Sequence, residues 1–127
     1  MSTGQIATVR PSIDWKVYDG DDVIVDLSKA AFLTDIAVTE SVRGTQVIPH
    51  STTAALDFGS VASAKAAMVW VESGSDVASM GVEVNASANN IFTCTAWGSS
   101  GAAGITSIEI TNASGADTLT ISFVIYE

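Results

Sequence analysis

Apolar and polar residues alternate with a period of two along most of this chain. Val23, Val25 and Leu27 alternate with Ile24 and Asp26, and Ile36 and Val38 with Asp35, Ala37 and Thr39. Val82 and Val84 flank Glu83, and Ile108 and Ile110 flank Glu109. Phe92, Cys94 and Ala96 alternate with Thr93, Thr95 and Trp97 as one run. The cleanest pattern is the last, where Leu119, Ile121, Phe123 and Ile125 alternate with Thr118, Thr120 and Ser122. Successive strand side chains point to opposite faces, so each segment predicts a strand with one buried face. Val47 and Ile48 form a short run that stops at Pro49, and Ala55 to Phe58 is another short extended piece. Met68 to Val71 is continuously apolar, which predicts a strand covered on both faces and places Trp70 in the core.

The spacers carry turn chemistry: Ser73-Gly74-Ser75-Asp76, Asn89-Asn90, Gly98-Ser99-Ser100-Gly101 and Asn112-Ala113-Ser114-Gly115. Strands separated by such turns at about 10–15-residue intervals predict an all-β chain, an antiparallel β-sandwich or a jelly roll. Two segments resemble helices, Ser60 to Met68 and, more weakly, Ser28 to Phe32. The first is rich in alanine but too short to be stable alone, so it predicts a loop or single turn leading into the strand at Met68.

The first twenty residues break the rhythm. Pro11 interrupts them, and Ile13, Trp15 and Val17 alternate with Asp14 and Lys16 before the turn Asp19-Gly20-Asp21-Asp22. This predicts an N-terminal arm or added strand over residues 1–20, followed by one sandwich domain over 21–127. Arg10 and Lys16, two of only five basic residues, lie in the arm with Trp15 and Tyr18. Those four and Trp97, at the end of its strand, are the candidate interface residues.

Composition narrows the function classes. The formal charge is −9, from fourteen carboxylates against five basic residues, so a nucleic-acid partner is not expected. An anionic membrane surface is disfavoured for the same reason, and no apolar window approaches the roughly 18 residues of a membrane-spanning helix. The opening MSTGQIATVRPSIDW does not have the form of a signal peptide. Without a secretory route, the sequons at Asn85 and Asn112 read as chance matches.

Candidate chemistry is sparse. The one histidine, His50, stands beside Pro49 in a Ser/Thr-rich loop, and the one cysteine, Cys94, lies between threonines in a strand. Neither has a partner nearby in sequence for nucleophilic catalysis, and together they fall short of a zinc site. Asp19, Asp21 and Asp22 cluster in oxygen-ligand fashion, but the calcium-loop spacing is absent and they read as a solvated acidic turn. No Gly-rich phosphate loop occurs. The chain therefore reads as non-enzymatic, with no cofactor or metal.

From about Thr52 to Glu127, three phrases follow in order: AALDFGSVASAKAAMVWVES, GVEVNASANNIFTCTAW and ITSIEITNASGADTLTISFVIYE. Their order resembles small β-sandwich virion structural proteins of tailed bacteriophages, of the capsid decoration or auxiliary type. The resemblance implies a virion component assembling on other virion proteins, the major capsid protein or neck and tail proteins. The corresponding expectation is a symmetric homo-oligomer, such as a trimer, on a larger shell. A neck or tail position stays open. So does a carbohydrate-binding sandwich, with Trp97, Tyr126 and the Gly98 to Gly104 loop as its platform.

Overall fold

A computed structural model describes residues 7–10, 16–26, 36–87 and 91–127. Among them the chain is all β, with twelve strands. Four come first: β1 (Ala7–Val9), β2 (Lys16–Asp19), β3 (Asp22–Asp26) and β4 (Ile36–Val38). Eight follow: β5 (Ser41–Ile48), β6 (Thr52–Ala55), β7 (Ala64–Val71), β8 (Met80–Val84), β9 (Ile91–Cys94), β10 (Ala96–Ile105), β11 (Ile108–Asn112) and β12 (Leu119–Tyr126).

The last eight strands pair as nested antiparallel hairpins. β5 pairs with β12, β6 with β11, β7 with β10 and β8 with β9. Two further ladders, β7 with β12 and β8 with β11, join them into two four-stranded sheets. Their orders are β10-β7-β12-β5 and β6-β11-β8-β9. Such a ribbon, folded over so that first meets last, is a jelly roll, the more specific of the two expected forms of the sandwich.

The core lies between the sheets. Ile48, Val69, Ile121 and Ile125 enter it from the first sheet, and Met80, Val82, Ile108 and Ile110 from the second. All eight side chains are fully buried. At one open side, the rings of Phe92 on β9 and Trp97 on β10 meet with centroids 6.5 Å apart. At the other, Gln46 Nε2 on β5 donates to the carbonyl of Ala55 on β6 at 3.4 Å.

Polar side chains fix two of the connections. Buried Asn112 donates from Nδ2 to the carbonyls of Ile48 and Asp117, while its Oδ1 accepts from the Ser114 amide. Asn85 and Ala86 both have positive φ, and the Ser87 amide donates to the Val84 carbonyl, a turn of the I′ kind. Asn85 also binds the strand connection opposite, donating to the Gly104 carbonyl and accepting from the Thr106 amide. Its side-chain amide is thus engaged in the fold, in keeping with a chance sequon.

The first four strands stand outside both sheets. β1 pairs with β4, and β2 pairs with β3 across the acidic turn, where Gly20 takes φ +62°. The β2–β3 ladder therefore runs across the turn at which the arm was expected to end.

Several elements differ from the sequence expectation. β5 is eight residues long, where only Val47 and Ile48 stood out. Gly98 to Gly104 lies within β10 and is not a loop. The run from Phe92 to Trp97 is split between β9 and β10, because the chain crosses from one sheet to the other at Thr95. β7 begins at Ala64, inside the alanine-rich segment.

Candidate interaction surface

The two outer faces of the sandwich differ in chemistry. On β12 the inward residues are Leu119, Ile121, Phe123 and Ile125, so Thr120, Ser122, Val124 and Tyr126 face out. The register carries this parity to the neighbours. Val124 stands opposite Arg43 on β5 and Met68 on β7, and Ser122 opposite Thr45 and Trp70. Met68 and Val47 are exposed at 52% and 64%, so this face carries an apolar and aromatic band that water covers incompletely.

On the second sheet, Glu83 stands opposite Glu109, and Thr111 opposite Thr53 and Gly81. The hydroxyls of Thr53 and Thr111 lie 2.8 Å apart. That face is acidic and hydroxylated at its centre, with exposed Ile91 opposite Glu83 on its edge strand β9.

A polar network crosses the apolar face. Trp70 Nε1 donates to Glu72 Oε1 at 3.0 Å, and the hydroxyls of Thr45 and Ser122 are 2.9 Å apart. Glu72 is held below the ordinary carboxylate range, first by the Ser122 hydroxyl, against opposing desolvation, and then by the Trp70 indole. The Ser122 hydroxyl thus stands between Glu72 and Thr45, and either of the two hydroxyls can donate to the other. A shallow depression of about 350 Å³ lies beside this network, lined by Arg43, Thr45, Trp70, Ser122, Val124 and Tyr126 among others.

The expected site residues fall in separate places. Arg10 is exposed just after β1, and Lys16 and Tyr18 lie on β2 opposite Asp26 and Val23. Trp15 lies outside the described residues. Trp97 stands opposite buried Val69, so it turns inward and packs half-buried against the core. Tyr126 faces out from the same sheet, so Trp97 and Tyr126 do not share the platform that the carbohydrate-binding alternative called for. Trp70, expected in the core, faces out instead. The signal for it was Glu72, since residues two apart in an extended segment share a face and a carboxylate seeks water.

The remaining candidates carry little chemistry. His50 is exposed in the turn after β5, where its carbonyl accepts from the Thr52 hydroxyl. Cys94 packs half-buried against the core, and burial pushes its thiol up from the ordinary range. Among the described residues, no three His, Cys, Asp or Glu side chains gather to hold a metal ion. No helix there is long and apolar enough to cross a membrane. Comparison with protein-family models, with curated proteins and with solved structures finds no match for this chain.

Proposed function

We propose that this chain is a non-enzymatic structural protein of a tailed-phage virion, a decoration or reinforcing subunit that assembles as a homo-oligomer on a larger protein shell. The observation that carries this reading is the division of its sheets. Strands β5 to β12 close around their own core, while β1–β4 and β2–β3 are two-stranded ladders outside both sheets. A two-stranded ribbon is marginal in water by itself, so packing against another surface stabilises it. Val38 on β4 is already buried within the chain and the Thr39 amide just beyond it donates to the Glu127 carbonyl, so it is chiefly for the β2–β3 hairpin that a neighbouring subunit or the shell supplies that surface.

The ordered phrases from Thr52 to Glu127 support the same reading, and the jelly roll is a fold that capsid proteins use. That last point is analogy, because a fold hosts many functions. Symmetric copies add their contacts, so individually weak attachments hold a subunit on a repeating shell.

Deleting residues 1–26 removes the β2–β3 hairpin whole and tests the reading. The expected product keeps a cooperative unfolding transition but sediments as a monomer and no longer attaches to particles. A truncated chain that still assembles contradicts the docking role of these strands, and one that fails to fold shows that they belong to the core.

A further inference from the structure

We propose that the outer face of the β10-β7-β12-β5 sheet binds a short neutral oligosaccharide in the depression between Trp70 and Tyr126. This stands apart from the virion reading, because it rests on the geometry of one sheet face alone.

Four observations converge there. The first is shape: about 350 Å³ lies at the small end of the range, about 300–1,000 Å³, that ligand sites occupy. The second is the pair of aromatic side chains. Trp70 on β7 stands opposite Ser122, four residues before Tyr126 on β12, so the two are offset by roughly 14 Å along the strands at about 3.4 Å per residue. That span exceeds one sugar ring and suits a short chain of them. The third is pre-organisation. The Trp70 indole N–H is already taken by Glu72, which fixes the ring and leaves its face as the binding element.

The fourth is the polar complement. The Thr45 and Ser122 hydroxyls pair at 2.9 Å, and a hydroxyl oxygen carries two lone pairs, so the Thr45 oxygen can also accept from a ligand hydroxyl. Arg43 lines the same depression as a donor. Ring faces for C–H surfaces, beside one donor and one acceptor, match a hydroxylated ring. Charge selects the neutral class. Arg43 lines the depression and Glu72 lies just past the end of β7, so the two offset each other in sign, while the chain as a whole carries −9 and repels anionic glycans.

The test uses the full chain against neutral trisaccharides of glucose, galactose and N-acetylglucosamine, with sialyllactose as the anionic control. Binding is read by calorimetry and tryptophan fluorescence. The expected result is saturable binding of at least one neutral trisaccharide, weaker by tenfold or more in Trp70→Ala and largely restored in Trp70→Phe. Sialyllactose binds at least tenfold more weakly than that trisaccharide. Circular dichroism and the unfolding midpoint confirm that each variant is folded. Absence of binding to all three neutral sugars at 10 mM overturns the proposal. So does binding that Trp70→Ala leaves intact, or a Trp70→Ala effect confined to self-association, which would assign the face to a protein contact.

Discussion

The ring of Phe123 lies across Gly44. The two are paired residues of neighbouring strands, and a Cβ built on Gly44 would stand 3.1 Å from Phe123 Cζ. Phe123 thus covers the gap that a glycine leaves on the sheet-edge strand β5. Gly44→Ala forces the buried ring to shift, at a cost of about 1 kcal/mol, and Gly44→Val costs about 2–3 kcal/mol. Phe123→Leu removes the ring edge, so in that background the penalty at position 44 shrinks. Urea denaturation of the double-mutant cycle measures this coupling, and strict additivity would show that the two do not share the space.

The same pair explains why β5 was hard to read. Its inward positions are Val42, Gly44, Gln46 and Ile48, and the volume missing at Gly44 is supplied by another strand. No pattern within β5 reveals a core filled from its neighbour. The β12 strand was legible because every inward position is large and apolar. Trp70 was misplaced because a continuous apolar run has no parity of its own, and the register with β12 sets it. The side of Trp97 could not be read from alternation, which continues unbroken through Thr95 while the chain changes sheets. The polar network of Thr45, Ser122 and Glu72 joins three segments distant in sequence, so only the register brings it together.

Ala86 offers a stabilising change. It takes φ +51° beside Asn85 at +56°, a left-handed conformation that costs an L-residue about 1–2 kcal/mol. Glycine adopts it freely but loses about 0.5–1 kcal/mol more backbone entropy on folding. Ala86→Gly is therefore expected to stabilise by about 0.5 kcal/mol, read as a raised thermal midpoint. A lowered midpoint would contradict the turn geometry.

Asn112 holds the carbonyls of Ile48 and Asp117 from a fully buried position. Asn112→Ala leaves those groups and the Ser114 amide without their partner, at a cost of about 2–3 kcal/mol. Asn112→Asp removes both donors and points an acceptor at two carbonyls, so it is expected to be worse than alanine at neutral pH. Chemical denaturation of both variants checks the order.

The lowered pKa of Glu72 fixes the sign of a pH effect. Its ionised form is favoured in the folded state, so its contribution is fully present above the unfolded value near 4.5 and is lost as pH falls through the lower folded value. Glu72→Gln removes that titration. Wild type and variant should differ most at neutral pH and converge in acid, when stability is followed by denaturation across pH. A gap that is constant at all pH values would mean that Glu72 acts only by its shape.

The virion role is tested most directly by counting copies of this chain in purified phage particles by quantitative mass spectrometry. A decoration subunit is present in many copies, in fixed ratio to the shell protein. A few copies per particle would move the chain to the neck or tail, and its absence from the particles would contradict the virion role altogether.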